Sequence, residues 1–268
     1  MTGRDQHMGR LDGKKAFITG AAQGLGACFA RMFAAEGARV ALTDLQGDKV
    51  AQTAGAINAD FPGAAVAFAH DVTDHDQWTS VLEQANEAMR GISVLVNNAG
   101  IGTMANIEAE TWEGYRKVMD IDLDSIFIGT RAALPYLKKN SPASIINISS
   151  VAGLMADANL LSYNVAKAGV AMMSKSVALH CAKAGYGITC NSVHPVFTRT
   201  PIIDPIVQMG GGGEEGEAKL SRGIPMKRLG EPEEVGHMVV YLASDEAKFV
   251  TGSEFRIDGG MTAGRVGK

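Results

Sequence analysis

The sequence predicts one α/β domain built on a doubly wound parallel sheet with helices on both faces. Short apolar segments of strand length alternate with longer helical segments along the chain. A glycine-rich turn lies between the first strand and the first helix. The chain has 268 residues, 46% of them hydrophobic, which suffices for one large core. Strands separated by helices of this length are joined by βαβ crossovers, so a parallel sheet is expected.

Composition excludes several classes of function. The formal net charge is −4, which suggests neither a nucleic-acid partner nor an anionic membrane. The three cysteines, Cys28, Cys181 and Cys190, lack metal-type spacing, so we expect reduced thiols and no metal site. No apolar run reaches the roughly 18 residues of a membrane span, and the N-terminus has no hydrophobic signal core. A cytoplasmic protein is therefore expected.

The first predicted strand, residues 15–19, leads into Gly20, Gly24 and Gly26 and then into a helix at 27–35. Glycines permit a tight turn, close approach of the backbone to a pyrophosphate and close helix–strand packing. The free N–H groups and positive dipole end of the helix favour phosphate. An ordinary turn without a ligand is the alternative, but the strand–turn–helix context favours a dinucleotide site.

The second predicted strand, residues 39–43, ends at Asp44, which lies 24 positions after Gly20. An acid at about this distance is typical of dinucleotide-binding folds, where it accepts hydrogen bonds from the adenosine ribose. A carboxylate would repel a 2′-phosphate, and no arginine or lysine occupies positions 21–23 or 45–46. We therefore expect NAD rather than NADP, although Asp44 can also cap the following helix.

Further strands and helices complete the alternating pattern. They are strands at residues 64–69, 93–96, 144–148, 187–193 and 254–257, and helices at 74–89, 108–139, 162–184 and 231–244. Asp71 follows the third strand and is expected either to meet the adenine edge or to begin a loop. After the fourth strand, Asn98 is expected to hold the strand edge, and Gly100 to let a ribose lie close.

A serine, a tyrosine and a lysine follow the fifth strand. Tyr163 and Lys167 lie at i and i+4, so on a helix they share one face. A phenol has a pKa of about 10, and a neighbouring ammonium lowers that pKa toward the range of general acid/base catalysis. The pair also occurs as a surface tyrosine beside a solvated lysine. The apolar strand 144–148 favours a catalytic site, because it delivers Ser149 and Ser150 to its carboxyl end, where open α/β sheets bind ligands.

The sequence also indicates the domain boundaries. After the sixth strand, two prolines interrupt regular structure. The segment 201–228 contains several glycines and acids and is expected to be a flexible lid over the site, with a loop of no role as the alternative. We expect a mobile polar arm at residues 1–12, a single catalytic domain at 13–262 and a tail at 263–268.

In order and spacing, these segments resemble the short-chain dehydrogenase/reductase family over residues 12–262. The matching segments are TGAAQGLG at 19–26, Asp44, Asp71-Val72, NNAG at 97–100, NISS at 147–150, YNVAK at 163–167, the segment 195–200 and VTGSEFRIDGG at 250–260. Residues 116–131 and 147–201 are similar to bacterial hydroxysteroid and alicyclic alcohol dehydrogenases.

The resemblance implies a Rossmann-type sheet with strand order 3-2-1-4-5-6-7 and hydride transfer between nicotinamide C4 and a carbonyl or carbinol carbon. It implies that Tyr163 is the acid/base, that Ser150 orients the substrate oxygen, and that Lys167 holds the nicotinamide ribose. The residues that it assigns to the cofactor are Gly20, Gln23, Gly24, Leu25, Gly26, Asp44, Leu45, Asp71, Val72, Asn98, Ala99, Gly100, Tyr163, Lys167, Pro195, Val196, Thr198 and Thr200. It further implies a homotetramer or homodimer assembled through the helices at 108–139 and 162–184 and through the C-terminal strand region.

Two positions depart from the family's pattern. The middle helix carries Asp120, Asp122 and Asp124, and such alternate acids imply that at least one points inward. Asp122 stands where the family has an asparagine that holds a proton-relay water beside the lysine. We expect Asp122 to be the acceptor in that relay; its charge can also pair with Lys167 and weaken the effect of the lysine on the phenol. Val196 stands where the family has glycine and is expected to narrow the substrate pocket.

The candidate substrate pocket is apolar. Its expected contact residues are Ser150, Met155, Leu160, Tyr163, Val196, Phe197 and Ile203. Methionine suits adaptable contact with a bulky apolar ligand, and packing in the core or at a subunit interface is the alternative for several of these residues. We expect a hydrophobic secondary alcohol or ketone, either alicyclic, terpenoid or steroid-like. The alternatives are a 3-oxoacyl-carrier-protein reductase, against which Asp44 argues because those enzymes usually prefer NADPH, and a dinucleotide-sensing protein without chemistry.

Overall fold

The structure, a computed structural model, describes residues 9–264 and is built on a seven-stranded sheet. The strands are β1 (Lys15–Thr19), β2 (Arg39–Asp44), β3 (Ala65–Ala69), β4 (Val94–Asn97), β5 (Ala143–Ile148), β6 (Ile188–Pro195) and β7 (Glu254–Ile257). All of them are parallel, and they lie in the order β3-β2-β1-β4-β5-β6-β7. This order confirms the predicted doubly wound parallel sheet.

Helices cover both faces of the sheet. They are α1 (Gly24–Ala35), α2 (Gly47–Asp60), α3 (His75–Met89), α4 (Trp112–Met119), α5 (Ser125–Lys139), α6 (Leu161–Lys183), α7 (Asp204–Met209), α8 (Gly213–Ser221) and α9 (Pro232–Ala243). The neighbouring β1 residues Phe17 and Ile18 belong to different apolar clusters, because successive side chains of a strand point to opposite faces. Ile18 packs in the cluster of Phe29 from α1, and Phe17 in the cluster of Trp78 from α3.

Helix α2 is the helix expected after Asp44, for which the sequence pattern gives no bounds. Its buried residues are only Val50, Ala54 and Ile57, and most of its other residues are polar, glycine or alanine. Their i, i+4, i+7 spacing is the signal of a helix that packs through one narrow stripe. The helix completes the crossover between β2 and β3.

The predicted helix at residues 108–139 is two helices, α4 and α5, joined by a π-helical turn at Asp120–Asp124. Within this turn Asp122 is fully buried. Asp120 and Asp124 instead form ion pairs with Arg116 near the surface. The expectation that one acid points inward is confirmed, and the acid is Asp122. A π-helical turn of this kind often marks a functional site.

The predicted arm at residues 1–12 lies only partly within the described part of the chain. Residues 9–12 belong to the domain: Leu11 is fully buried in an apolar cluster, and Arg10 forms an ion pair of 2.9 Å with Glu246. Those four residues are therefore not a mobile arm, because burial of Leu11 fixes them. Residues 1–8, and residues 265–268 of the predicted tail, lie outside the described residues.

The predicted lid, residues 201–228, contains regular structure in the form of α7 and α8. An apolar cluster lies beneath it, formed by Val196, Ile203, Val207, Ile224 and Leu229. On its outer side, Arg199 forms an ion pair of 2.8 Å with Glu217 of α8 and a second ion pair with Glu231, the residue before α9. The lid is thus helical and is attached to the domain by packing and by charge.

No helix within residues 9–264 is long and apolar enough to cross a bilayer. In the same part of the chain, no group of histidine, cysteine and acidic side chains has the arrangement of a metal site. Cys28, Cys181 and Cys190 carry free thiols, and burial raises the pKa of Cys28 to about 12.

Candidate active site

The glycine-rich turn after β1 leaves the first turn of α1 open to a ligand. Gln23 precedes α1, but its side chain makes no capping hydrogen bond to the first N–H groups of the helix. Gly20 has a φ of +64°, and a Cβ there would lie 2.8 Å from Ala99 Cα. A Cβ on Gly26 would lie 2.3 Å from the Gly20 carbonyl oxygen. Glycine is therefore required at both positions, and the open helix end fits a pyrophosphate.

The Asp44 carboxylate lies beside this turn at the end of β2. Its Oδ2 accepts a hydrogen bond of 3.1 Å from Ala22 N, and its Oδ1 accepts one of 3.0 Å from Gln46 N. The carboxylate thus lies near the glycine-rich turn as predicted, and it bonds Gln46, the residue before α2, rather than an N–H group of the helix itself. Positions 45–46 carry no cation, but Lys49 of α2 lies near this region, and its ammonium donates a hydrogen bond to the Gln23 side chain.

The loop after β3 is organised by Asp71. Its Oδ1 accepts hydrogen bonds from Thr73 N at 2.9 Å and from Thr73 Oγ1 at 2.7 Å, which forms a local turn. The carbonyl of Val72 accepts a 2.8 Å bond from Trp78 Nε1. Of the two predicted roles for Asp71, the structure shows loop formation. Leu45, which follows the neighbouring strand, is exposed.

Asn98 ties β4 to β1. Its Nδ2 donates to the carbonyl oxygens of Thr19 and Gly20 at 2.9 and 3.0 Å, which confirms its expected structural role. Two residues later, a Cβ on Gly100 would lie 3.3 Å from Lys167 Nζ. A Cβ there would also lie 2.9 Å from Asp122 Oδ2, so a side chain at Gly100 would crowd the ammonium and this carboxylate.

Ser150, Tyr163 and Lys167 meet at the carboxyl end of β5. Lys167 Nζ lies 5.4 Å from the centre of the Tyr163 ring, and the Ser150 hydroxyl lies near enough to the phenol to lower the pKa of Tyr163. Ser150 Oγ also accepts a 3.1 Å bond from Ala152 N, and Lys167 Nζ donates to Ile148 O at 3.2 Å. The three predicted residues thus lie close together, and the backbone bonds hold the Ser150 and Lys167 side chains in place.

Asp122 completes this cluster from the π-helical turn. Its Oδ2 lies 3.0 Å from Lys167 Nζ, and the exposed fractions of the two side chains are 0% and 5%. Its Oδ1 accepts a 2.9 Å bond from Ile101 N. Burial lowers the pKa of Lys167, but Asp122 and the Tyr163 phenol outweigh burial, so the pKa of Lys167 is raised above its ordinary value. The ammonium is therefore charged at neutral pH.

The pKa of Tyr163 is raised above its ordinary value, chiefly because the phenol is buried. The Lys167 ammonium and the Ser150 hydroxyl act in the opposite direction, whereas the Asp122 carboxylate raises the pKa further. Lys167 thus lowers the pKa of Tyr163 as expected, but this effect is smaller than the opposing ones, and the net shift is upward. Burial and the neighbouring acid outweigh it.

The residues after β6 return to the glycine-rich turn. Pro195 is the last residue of β6, and Thr198 Oγ1 donates to the Val196 carbonyl at 2.9 Å. A Cβ on Gly24 would lie 3.5 Å from Thr200 Cβ, so Thr200 faces the turn. Thr200 therefore lies next to the start of α1, where Leu25 is partly buried.

The predicted substrate residues divide into two groups. Val196 and Ile203 are buried in the apolar cluster beneath the lid, with Phe197 packed against it. They follow the packing alternative, because the lid helices cover them. Met155 is exposed, and Leu160 is half-buried where its backbone pairs with Ala105.

Lys49 and His194 lie outside the predicted set but have side chains that contact it. Lys49 contacts Gln23, and the fully buried His194 lies with its Nδ1 3.0 Å from the Ser150 carbonyl oxygen. A lysine in the first turn of a helix after an acid-ended strand is a weak local signal. The His194 contact joins residues 44 positions apart, so no local pattern announces it.

Comparison with known proteins identifies the family. The family model described as enoyl-(acyl carrier protein) reductase matches residues 20–262. The chain is 40% identical over 259 residues to an NADP-dependent (R)-specific alcohol dehydrogenase of Lentilactobacillus kefiri, covering 95% of this chain and 98% of the relative. It is 41% identical over 263 residues to the trans-4-hydroxycyclohexanecarboxylate dehydrogenase of Sinomonas cyclohexanicum, covering 95% of each.

A third relative is the 3-alpha-(or 20-beta)-hydroxysteroid dehydrogenase of Mycobacterium tuberculosis. It is 38% identical over 256 residues, covering 96% of this chain and 92% of the relative. These matches span almost the whole domain. The chain belongs to the short-chain dehydrogenase/reductase family of nicotinamide-dinucleotide-dependent oxidoreductases.

Proposed function

We propose that the protein is an NAD-dependent oxidoreductase that interconverts a hydrophobic secondary alcohol, alicyclic, terpenoid or steroid-like, and its ketone. The observation that carries the proposal is the cluster of Ser150, Tyr163 and Lys167 at the carboxyl end of β5. The glycine-rich turn follows the carboxyl end of β1, so it lies at the same edge of the parallel sheet. Open α/β sheets bind ligands at this edge.

In this proposal each member of the cluster has a separate task. Bound NAD supplies the hydride acceptor for oxidation and, reduced, the hydride donor for ketone reduction. Tyr163 takes the hydroxyl proton of the alcohol, or returns it to the ketone oxygen, as a general base or acid. The Ser150 hydroxyl donates to the same oxygen and stabilises charge on it. Lys167 favours the phenolate electrostatically and donates to the nicotinamide ribose.

Asp122 is proposed as the acceptor behind Lys167. The family's asparagine accepts from a relay water at this place, and a buried carboxylate 3.0 Å from the ammonium can accept in the same way. Its negative charge also keeps Lys167 protonated. The relay therefore has an acceptor, and the phenol is held at a higher pKa than an uncharged acceptor would give.

Residues of the chain fit a dinucleotide at each of its parts. The open first turn of α1 suits the pyrophosphate, and Asp44 suits the adenosine ribose hydroxyls. The remaining proposed cofactor contacts are Gln23, Leu25, Leu45, Asp71, Val72, Asn98, Ala99, Gly100, Pro195, Val196, Thr198 and Thr200. The Asp44 carboxylate supports NAD, whereas the first-named relative is called NADP-dependent. Measurement of both cofactors tests this part of the proposal.

The proposed substrate class rests on the apolar character of the site. Arg199, the cation that precedes the lid, is already paired with Glu217 and Glu231, so it is not available to bind an anionic group. Two relatives are named for reactions at alicyclic alcohols, a hydroxycyclohexane carboxylate and a hydroxysteroid. These observations support Met155, Leu160 and further apolar residues as the wall of an alicyclic alcohol site.

A 3-oxoacyl-carrier-protein reductase is the second candidate, because the matching family model is described by an acyl-carrier-protein activity. One panel separates the candidates. The purified protein is assayed with NAD and NADP against cyclohexanol, bicyclic terpenols, steroids and 3-hydroxyacyl thioesters. We expect NAD-linked turnover of cyclic secondary alcohols. Turnover of thioesters alone would support the second candidate, and dinucleotide binding without any turnover would support a dinucleotide-sensing protein.

We further propose a homotetramer, with a homodimer as the alternative. Val165, Met172 and Leu179 are exposed at intervals of seven residues on α6, and Phe127 is exposed on α5. Exposed apolar stripes of this kind are typical of subunit interfaces. The mass in solution, measured by light scattering, tests the assembly.

A further inference from the structure

His194 is a fully buried histidine one position before the end of β6. Its Nδ1 lies 3.0 Å from the Ser150 carbonyl oxygen, and its Nε2 lies 2.8 Å from Ser192 Oγ. A carbonyl oxygen can only accept, so Nδ1 carries the hydrogen and donates it. In the neutral ring Nε2 is then an acceptor, and the Ser192 hydroxyl donates to it. Both ring nitrogens are thus satisfied in a single tautomer.

The ring is neutral in this site. Burial lowers the pKa of His194, and the surrounding charges are Glu254, Arg256 and Lys175. Lys175 itself forms an ion pair of 2.5 Å with Glu254, so the nearby acid is already neutralised. The fixed tautomer is therefore the form present at neutral pH.

We propose that His194 is a positioning residue for Ser150, because its Nδ1–H holds the Ser150 main chain so that the serine hydroxyl faces Tyr163. This inference rests on the proposed function, in which Ser150 binds the substrate oxygen.

The hydrogen bonds around Ser150 show why this contact matters. The preceding residue, Ser149, is the last one joined to β6 by the sheet, through a 2.8 Å bond from its N to Val193 O. The Ser150 carbonyl accepts a second bond, of 3.0 Å, from Gly153 N. That bond lies within the turn that Ser150 begins and moves with it. The His194 bond instead connects the turn to the sheet, so it fixes the orientation of Ser150 relative to the rest of the site.

Two amide variants test the roles of the two ring nitrogens of His194 separately. In His194→Asn the amide nitrogen can take the place of Nδ1 and still donate to Ser150, whereas the longer side chain of His194→Gln reaches toward Nε2 and leaves the carbonyl without this donor. We expect the Asn variant to keep kcat within about threefold and the Gln variant to lose on the order of 10- to 100-fold, since a small misplacement of a reacting group has such an effect. Dinucleotide affinity and Tm should be similar in both.

The pH profile gives a readout that general loss of packing would not move. The Ser150 hydroxyl lowers the pKa of Tyr163, and Lys167 and Asp122 are the charges that face the same phenol. Displacement of this hydroxyl in His194→Gln should therefore shift the rise of alcohol oxidation to higher pH. His194→Asn should keep the profile of the parent protein.

Independent measurements keep the inference testable if a variant does not fold. Nitrogen NMR of the histidine ring in the parent protein should show hydrogen on Nδ1, and hydrogen on Nε2 instead would overturn the inference. Ser192→Ala removes only the Nε2 partner and should retain the kcat of the parent. Equal losses in the Asn and Gln variants, or unchanged kcat in both, also contradict it. Absence of turnover in the parent protein would count against the proposed function instead.

Discussion

Lys167 Nζ and Asp122 Oδ2 lie 3.0 Å apart, and both side chains are almost completely buried. Removal of one partner from a buried pair leaves an uncompensated charge, which typically costs several kcal/mol. The pair therefore keeps the lysine charged, and the acid simultaneously raises the pKa of Tyr163. This one contact connects the position that departs from the family's pattern to the acidity of the proposed catalytic phenol.

The variant Asp122→Asn should change the pH dependence of turnover. The amide keeps an acceptor but removes a negative charge that raises the pKa of Tyr163, so that pKa should fall. Alcohol oxidation requires the phenolate, and its rate should therefore rise at lower pH than in the parent protein. The measurement is the pH profile of kcat/KM for an NAD-linked alcohol.

Asp124→Asn is the matched control for this experiment. Asp124 lies in the same π-helical turn but pairs with Arg116 near the surface, so the profile should not move. An unchanged profile in Asp122→Asn would contradict the electrostatic role. A loss of all turnover with intact dinucleotide binding would instead show a specific requirement for the acid.

The variant Asp44→Ala should weaken the preference for NAD. The parent should favour NAD over NADP by at least about tenfold in kcat/KM, because loss of a hydrogen bond to a charged group costs about 1.5–3 kcal/mol. In the variant, kcat/KM with NAD should fall and the ratio should move toward NADP. Asp48→Ala, an exposed acid in the first turn of α2, should leave the ratio unchanged. A parent that prefers NADP would contradict the assignment of Asp44.

The variant Glu217→Gln should loosen the lid. It removes the negative charge of Glu217 and so breaks the ion pair between Arg199 and α8, while the ion pair between Arg199 and Glu231 remains. Exposed ion pairs contribute at most about 1 kcal/mol, so KM for the alcohol should rise by no more than about fivefold. Proteolysis near residues 210–213 should be faster. Glu215→Gln, whose partner Lys219 lies on the same helix, is the control that should leave both quantities unchanged.

Buried His70 should make the protein less stable in acid. Burial lowers its pKa from 6.5 to about 4, against the opposite effects of Asp71 and Asp74. The unfolded chain therefore takes up a proton near pH 6.5 that the folded protein resists, so stability present above pH 6.5 is lost as the pH falls toward 4. The loss from this group is at most about 3 kcal/mol.

Urea unfolding between pH 7 and pH 4 measures this effect. His70→Asn retains a polar group near Thr43, which bonds the ring Nδ1 at 3.2 Å, but cannot titrate in this range. Its free energy of unfolding should fall less steeply with acid than that of the parent. His75→Asn changes an exposed histidine and should retain the parent's slope. Equal slopes in the parent and His70→Asn would contradict the prediction.

Much of the fold follows from local patterns. The apolar strands and the glycine-rich turn predict the parallel sheet, and the i, i+4 spacing of Tyr163 and Lys167 predicts their proximity. The strand before Ser150 predicts its place at the carboxyl end of the sheet. These features depend on neighbours in sequence, which is why they can be read from it.

Other features depend on contacts between distant segments. The net pKa of Tyr163 depends on how deeply the phenol is buried and on Asp122, which a separate helix supplies. The sequence pattern predicts one continuous helix through Asp122. The structure has a π-helical turn there instead, and this turn directs the Asp122 side chain inward. His194 is the next-to-last residue of β6 and has no local mark of function, because its partner Ser150 lies in the turn that follows a different strand, β5. The bounds of helix α2 escape prediction because only a narrow stripe of the helix is apolar.

The substitution Tyr163→Phe tests the proposed acid/base directly. It removes one oxygen atom and keeps the ring beside Lys167, so dinucleotide affinity and Tm should stay close to those of the parent. NAD-linked oxidation of a cyclic secondary alcohol should fall on the order of 10³-fold, within the range that general acid/base catalysis contributes. A variant that oxidises the alcohol as fast as the parent would contradict the proposal that this phenol carries the proton.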